Sequence, residues 1–182
     1  PIVTDKTLAL VISQSGETID TLAAMREAKR LGARVLSIVN VVGSTIARES
    51  DDVLYTWAGP EIAVATTKAY STQLALVYLI GLYCARALET IRAADYDAIV
   101  EELLLIPTKL EAILENREDI QYFASLYFNH PSIFFIGRNI DYAVGLEGSL
   151  KLKEISYIHS EAYAAGELKH GTISLIEPGT LV

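Results

Sequence analysis

The fold is decided by residues 7–18, which read TLALVISQSGET. Their first half, residues 7–12, is a short run of apolar and β-branched residues, which is typical of a strand buried on both faces. Residues 34–39 form a similar run. Between these runs, residues 17–31 have one apolar and one charged face, and Gly32 suits the position just after a helix. The pattern predicts a strand–helix–strand unit and therefore a parallel sheet.

The rest of the chain continues this alternation. Residues 61–91 contain little Gly or Pro, which predicts one long, mostly buried helix. Charged and apolar residues at helical spacing over 95–129 predict further helices, with Pro107 in the first turn of a new one. The remaining predicted elements are two strands and an amphipathic helix, at residues 52–57, 133–137 and 140–158. The predicted fold class is α/β, a three-layer parallel sheet with flanking helices.

The elements fall into two α/β units separated by helices. We predict the C-terminal part of one domain, a helical connector and the N-terminal part of a second domain, at residues 1–94, 95–130 and 131–182. Residues 180–182 read as the start of a strand, and we expect both ends to be cut from a longer chain. If the two domains share an architecture, the strand at 133–136 is expected beside residues 7–12, within one chain or by exchange between two.

Composition and charge exclude several classes of protein. With 182 residues, 51% hydrophobic and 21% charged, the chain is too apolar to be disordered. The net charge of −8, without a basic stripe, argues against a nucleic-acid partner. The single cysteine, Cys84, excludes a disulfide framework. The longest apolar run, residues 74–87, is interrupted by Arg86 and is shorter than the roughly 20 residues that span a bilayer. No signal peptide is visible, so we predict a cytoplasmic protein without a membrane partner.

Residues 13–18, SQSGET, lie where the first strand ends and the first helix begins. Hydroxyl groups, an amide and a glycine at a helix N-terminus form a site suited to an anion such as phosphate. Simple N-capping, in which Ser15 and either Glu17 or Thr18 satisfy free amide groups, is the alternative. The position favours a ligand, because open α/β sheets bind ligands at the carboxyl ends of their strands.

Glu147, Lys151 and Glu154 are spaced so that they share one face of the predicted helix. A solvated ladder of ion pairs is the alternative to a catalytic cluster. Apolar neighbours leave little of the helix free to be a charged outer surface, namely Leu146, Leu150, Leu152 and Ile155. Carboxylates and an amine in a partly desolvated cleft suit general acid/base chemistry. His170 follows within a Gly-flanked segment, and taken alone it could equally be a surface histidine.

Three segments together resemble a known family. Residues 13–18, residues 65–73 (ATTKAYSTQ) and residues 147–171 (EGSLKLKEISYIHSEAYAAGELKHG) resemble the isomerase portion of the glutamine:fructose-6-phosphate aminotransferases. The first segment alone indicates only the sugar isomerase (SIS) fold, whereas the last is long and specific. The resemblance covers essentially the whole chain and implies a fragment that spans parts of two SIS domains.

The resemblance implies a role for ten residues. Four of them would hold the phosphate of fructose 6-phosphate: Ser13, Gln14, Ser15 and Thr18. Val64 and Thr66 would line the sugar, and Thr66 stands where relatives often have Ser, which keeps the hydroxyl. Glu154 would be the base that moves a proton between C1 and C2. Three further residues would assist, with Lys151 and Glu147 beside the base and a ring-opening histidine, His170, supplied from a neighbouring subunit.

The implied reaction converts fructose 6-phosphate and glutamine to glucosamine 6-phosphate and glutamate in a homodimer, with no metal or organic cofactor. The family's glutaminase domain and its imine-forming lysine are absent from these 182 residues, so we expect the fragment alone to be inactive. Two alternatives stay open. One is another SIS enzyme, such as a fructosamine-6-phosphate deglycase, and the other is a phosphosugar-binding module without catalysis.

Overall fold

The computed structural model describes residues 2–182, and the first residue of the predicted domain at 1–94 lies outside the described residues. The chain divides into two compact units, one up to residue 104 and the other over residues 105–182. No helix within residues 2–182 has the length and apolar character needed to cross a membrane.

The first unit is built on a three-stranded parallel sheet, which confirms the predicted fold class. Its strands lie in the order β1–β2–β3 and are linked by two helices. The elements are β1 (Leu8–Ser13), α1 (Ile19–Arg30), β2 (Arg34–Val39), α2 (Thr45–Glu49) and β3 (Asp52–Tyr55). Because Ser13 pairs with Val39 and Val39 with Tyr55, all three strands end at one edge of the sheet.

The core of this unit lies between the central strand β2 and the helices beside it. Val35, Ile38 and Val39 of β2 are fully buried. Met25 of α1 and Ile46 of α2 pack with Val35 and Val39 in one apolar cluster. Burying each of these side chains contributes about 1.5–3 kcal/mol, so β2 fixes the position of both helices.

The prediction that the first strand is buried on both faces is wrong. Leu8, Leu10 and Ile12 alternate along β1 and remain 57%, 43% and 41% exposed, whereas Val11 and Ser13 are buried. β1 is an edge strand, and the helices of this unit cover only one of its faces. An apolar run of six residues does not distinguish a strand covered on one face from a strand covered on two.

The long helix begins later than predicted and is much less buried. α3 covers Thr67–Ala87, and among its residues only Ala69 and Leu82 are buried. The segment before it is irregular because the Glu61 carboxylate accepts hydrogen bonds from its two following backbone amides, at 3.0 and 3.1 Å. Such local bonds compete with helix formation. Val64 and Thr66 therefore lie in a loop, not in a helix.

The prediction that Pro107 starts a new helix is also wrong. α4 runs without interruption over Ala93–Glu115 with Pro107 inside it, and α5 follows at Arg117–Tyr127. A proline inside a helix removes one backbone hydrogen bond and crowds the carbonyl four residues earlier, a cost of about 3 kcal/mol that the rest of this 23-residue helix outweighs. The break falls at Asn116, whose ψ of 21° leaves the helical range and whose side-chain amide donates to the Ala112 carbonyl.

The second unit contains a two-stranded parallel sheet, with β4 (Ser132–Gly137), α6 (Ile140–Ser156) and β5 (His159–Ala164). Two short 3₁₀ helices follow, at Leu168–His170 and Thr172–Leu175. Leu181 forms an isolated bridge to Ile133 of β4, which agrees with the predicted strand start at 180–182. β5 was not predicted. The expected pairing of β4 beside β1 within one chain is wrong, because β4 belongs to a separate sheet, where it pairs with β5 and bridges Leu181.

Small residues let α6 pack closely on this sheet. A Cβ atom at Gly137 would lie 2.4 Å from the backbone of Asp141, and one at Gly148 would lie 3.2 Å from the Phe135 ring. Ser149 and Ser160 are buried, with their hydroxyl oxygens 3.0 Å apart. The residues of α6 that contact the sheet are thus small and uncharged, and the charged residues of the helix lie away from this contact.

Candidate functional site

The loop at residues 13–18 follows β1 directly and is organised by its own hydroxyl groups. The hydroxyls of Ser13 and Thr18 lie 3.0 Å apart, and the Gly16 amide donates to the Ser13 hydroxyl at 3.1 Å. The Glu17 amide donates to the Ser15 hydroxyl at 3.2 Å. The loop therefore curls around the end of the strand, as expected of a concave anion site.

The start of α2 supports this loop from behind. Gly16 has a φ of +67°, and a Cβ atom there would lie 2.0 Å from the buried hydroxyl oxygen of Ser44. The Gly16 carbonyl accepts a hydrogen bond from the Ile46 amide at 2.9 Å. The Thr45 amide donates to the Glu17 carboxylate at 2.7 Å, and this bond lowers the pKa of Glu17 below its usual value. Glu17 is thus a brace of the loop.

The hydrogen bonds at the start of α1 favour an anion site over simple N-capping. Thr18 occupies the N-cap position, but its side chain forms no capping bond and faces Ser13 instead. The Ser15 hydroxyl accepts from Glu17, which precedes the helix. Neither hydroxyl therefore caps the first turn of α1, whose amide groups stay available to a ligand, and such groups attract anions. Gln14 is half-buried, and its carbonyl accepts from the Asn40 amide at 3.0 Å.

The two residues predicted to line the sugar lie in the loop that follows β3. Val64 is 84% exposed. Thr66 is half-buried and takes a left-handed conformation, with φ +43° and ψ +41°, just before α3. A β-branched residue rarely adopts this conformation, and such outliers concentrate at functional sites. Since β3 ends at the same edge as β1, this loop and the 13–18 loop start from the same edge of the sheet, on either side of the end of β2.

The predicted charged cluster forms on α6. The Lys151 ammonium donates to a carboxylate oxygen of Glu154 at 2.7 Å and lies 3.4 Å from one of Glu147. The hydrogen bond to Glu154 is the main cause that raises the pKa of Lys151 above its ordinary value. The side chains of Lys151, Glu147 and Glu154 are only 18%, 24% and 27% exposed, respectively. This partial burial distinguishes the cluster from a solvated ladder and suits a carboxylate that exchanges a proton beside a fixed positive charge.

His170 is not brought to this cluster. It ends the first 3₁₀ helix and is exposed, and its backbone amide donates to the Glu167 carbonyl at 3.0 Å. Within residues 105–182 as the structure describes them, no hydrogen bond or ion pair links its ring to Lys151 or to either glutamate of the cluster.

One residue of the first unit was missed by the sequence analysis. Asn40 immediately follows β2 and hydrogen-bonds both neighbouring loops. Its position directly after a buried strand was the available signal. As for metals, the part of the chain that the structure describes contains no group of three or more His, Cys, Asp or Glu residues placed to hold an ion.

Comparison with known proteins assigns the segments that carry the 13–18 loop and the charged cluster to one family. Residues 1–83 and 126–182 match the SIS domain family. The chain belongs to the SIS domain family. This confirms the resemblance seen in the sequence and assigns the parallel sheets to the SIS fold.

Curated relatives of this SIS chain are aminotransferases. The chain is 62% identical over 182 residues to the glutamine–fructose-6-phosphate aminotransferase (isomerizing) of Clostridium tetani, and 59% identical over 182 residues to that of Clostridium acetobutylicum. Each match covers 100% of this chain and 30% of the relative. The chain thus spans less than a third of the length of these curated relatives.

Solved structures agree with this placement. The C-terminal domain of glucosamine-fructose-6-phosphate aminotransferase from Francisella tularensis superposes with a TM-score of 0.92 at 40% identity, covering 96% of this chain and 50% of that one. A glucosamine-6-phosphate deaminase from Thermotoga maritima gives a TM-score of 0.72 at 26% identity, covering 99% and 52%.

Proposed function

We propose that this chain is the phosphosugar-binding and isomerising portion of a glutamine:fructose-6-phosphate aminotransferase. The whole enzyme would convert fructose 6-phosphate and glutamine to glucosamine 6-phosphate and glutamate. The observation that carries the proposal is the 62% identity to the Clostridium tetani relative over all 182 residues, a span that includes both the polar loop and the charged cluster.

The phosphate would bind in the loop that follows β1. The ligands would be hydroxyl and amide groups of four residues, namely Ser13, Gln14, Ser15 and Thr18. Support comes from the curled loop, from the uncapped start of α1 and from the occupation of the Glu17 carboxylate by the Thr45 amide. An anion at a helix N-terminus is favoured both by the free amide groups and by the helix dipole. Val64 and Thr66 would contact the sugar from the loop before α3.

The charged cluster would carry out the proton transfer. After ammonia replaces the oxygen at C2, the carboxylate of Glu154 would remove a proton from C1 and return it at C2, which turns the ketose derivative into an aldose. Lys151 would hold that carboxylate in place through the 2.7 Å bond, and Glu147 would balance its charge. Over the two steps Glu154 carries one proton from C1 to C2, and the imine nitrogen at C2 gains the proton that the C1 hydroxyl loses, so the sugar gains and loses none overall.

Several features of the assembly belong to the same proposal. His170 would act from a neighbouring subunit in a homodimer and open the sugar ring, which fits its exposed position. Residues 1–94 would belong to a first SIS domain, residues 95–130 to a connector and residues 131–182 to a second SIS domain. The enzyme would work in the cytoplasm.

Turnover by the full-length gene product tests the proposal. Formation of glucosamine 6-phosphate from fructose 6-phosphate and glutamine is expected. Release of ammonia from fructosamine 6-phosphate without any use of glutamine would instead indicate a deglycase, and binding without turnover would indicate a non-catalytic module.

The phosphate site has a test of its own. Ser15→Ala and Thr18→Val should each weaken binding of fructose 6-phosphate, measured by calorimetry, by about 1.5–3 kcal/mol, which is typical of one hydrogen bond to a charged group. The free energy of unfolding should change much less. Affinities equal to that of the wild type in both variants would show that the phosphate binds elsewhere.

A further inference from the structure

Asn40 lies where the central strand β2 ends, between the two loops assigned above to the phosphate and to the sugar. Its backbone amide donates to the Gln14 carbonyl in the 13–18 loop at 3.0 Å. Its side chain is directed to the other loop, which follows β3. One residue therefore contacts both halves of the site.

The side-chain amide of Asn40 makes three hydrogen bonds with residues 56–59. Its Oδ1 accepts from the Thr56 hydroxyl at 2.8 Å and from the Ala58 amide at 2.9 Å. Its Nδ2 donates to the Gly59 carbonyl at 2.7 Å. The orientation of this amide is settled by its partners, because the Ala58 amide can only donate and the Gly59 carbonyl can only accept. Asparagine alone among residues of this size supplies both an acceptor and a donor at these points.

The loop that Asn40 holds is one that needs support. Trp57 has a φ of +52° and Gly59 a φ of +70°. The left-handed conformation is unfavourable for a bulky residue such as Trp, so the path of this loop depends on external contacts. The Trp57 side chain is 77% exposed, and its main ring contact is Tyr55, at 5.7 Å between centroids. Packing alone therefore gives the loop little support.

The far end of the loop is also fixed. The Lys68 ammonium, in the first turn of α3, donates to the Pro60 carbonyl. The Glu61 carboxylate accepts from the amides of the next two residues. Asn40 thus holds the start of the loop at residues 56–59, and Lys68 joins Pro60 to the first turn of α3, which Thr66 directly precedes.

We infer that Asn40 is a positioning residue of the phosphosugar site, which holds the sugar-facing loop at a fixed distance from the phosphate loop. The inference rests on the proposed function, since it assigns the sugar and the phosphate to these two loops. It predicts that binding of the sugar and binding of the phosphate respond differently to a change at Asn40. Loss of the Asn40 side chain should harm contacts to the sugar and spare those to the phosphate, because only the backbone of Asn40 contacts Gln14.

Asn40→Ala in the full-length gene product tests this difference between sugar binding and phosphate binding with two ligands. Binding of fructose 6-phosphate should weaken at least tenfold, while binding of inorganic phosphate should stay within twofold of the wild type. Ser15→Ala should weaken both ligands. Asn40→Asp, which keeps the acceptor for Thr56 and Ala58 but places an oxygen against the Gly59 carbonyl, should be intermediate.

A second readout does not depend on a ligand. Trp57 is the only tryptophan among the 182 residues. The difference in tryptophan fluorescence between a protein with Trp57 and its Trp57→Phe variant therefore comes from this loop, and the anisotropy of that signal reports on the loop's mobility. Asn40→Ala should lower that anisotropy. Ser50→Ala serves as the matched control, because it removes a half-buried hydrogen bond to Ile46 of the same unit at the opposite end of the sheet. Its anisotropy and ligand binding should match the wild type.

The outcomes separate the two proposals. Wild-type affinity for fructose 6-phosphate together with wild-type anisotropy in Asn40→Ala would overturn the inference. If Asn40→Ala binds both ligands equally weakly and has also lost the circular dichroism signal of the folded protein, the inference is overturned too, because Asn40 would then be merely structural. If the wild type binds neither ligand, the proposed function fails, and the anisotropy alone then decides whether Asn40 holds the loop.

Discussion

The phosphate loop of the first unit and the charged cluster of the second are built in opposite ways. The loop depends on partners far away in the sequence, such as Asn40 against Gln14 and Thr45 against Glu17. The cluster lies on one helix, at spacings of four and three residues. A cluster of this kind forms wherever its helix forms, whereas the loop depends on partners supplied by the end of β2 and the start of α2. Variants of each should therefore differ in what they damage.

The largest effect is expected from the cluster. Glu154→Gln keeps the volume of the side chain and removes the base, so isomerisation should slow by about 10²–10⁴-fold, the usual contribution of a general base. Binding of fructose 6-phosphate and the free energy of unfolding should stay close to wild type. The measurement is turnover of the full-length gene product, with incorporation of solvent deuterium into the sugar as a readout of the proton step.

Asp141→Asn is the control for this variant, because it removes an exposed carboxylate from the same helix. It should leave turnover unchanged. A Glu154→Gln enzyme that keeps more than a tenth of the wild-type rate would assign the base to another residue.

The loop should respond in the reverse manner, with a loss of stability. Gly16→Ala places a Cβ atom against Ser44 at a φ of +67°. The left-handed backbone and the overpacking together should cost about 2–5 kcal/mol in urea unfolding. Gly43→Ala is the matched control, since its φ is +73° but nothing lies within 4 Å of the added atom. It should cost only the backbone part, about 1–2 kcal/mol.

Equal losses in the two glycine variants would mean that the contact with Ser44 is not a constraint on the loop. Adding Ser44→Gly to the Gly16→Ala variant removes the clashing atoms and should recover part of the lost stability.

The smallest effect concerns pH. The Thr45 amide lowers the pKa of Glu17 below its ordinary value of 4.5. A lowered carboxyl pKa contributes stability that is present above pH 4.5 and is lost as the pH falls through the lowered value. Urea unfolding of the wild type between pH 6 and pH 3 should therefore show a small extra decline that Glu17→Gln lacks. Asp20→Asn, at the same helix end but without this bond, should decline like the wild type.

Much of the fold could be predicted from short-range patterns. The runs at residues 7–12 and 34–39 are strands because β-branched and apolar residues fill the sheet, and the helix between them has the expected amphipathic face. The grouping of Glu147, Lys151 and Glu154 follows from helical geometry alone, and the structure confirms it. The roles proposed for these side chains stay predictions.

The parts that could not be predicted depend on distant residues. β5 reads HSEAYA, which has little β propensity, and it forms because β4 offers a pairing edge and Ser149 a partner for Ser160. The late start of α3 reflects the left-handed Thr66. The function of Asn40 as a link is invisible until β1 and β3 lie on either side of β2.

The close approach at Gly137 has a consequence for where chemistry can occur. α6 starts at the carboxyl end of β4 and runs back along the strand, since β4 and β5 are parallel. Glu154 lies 13 residues beyond Asp141, a rise of about 20 Å. That is about the length of a six-residue strand, so the carboxylate is level with the starts of β4 and β5, far from the crevice where such sheets usually bind ligands. The proposed base therefore lies at the opposite end of its own sheet from the position that the phosphate loop occupies in the first unit, where that loop follows the carboxyl end of β1.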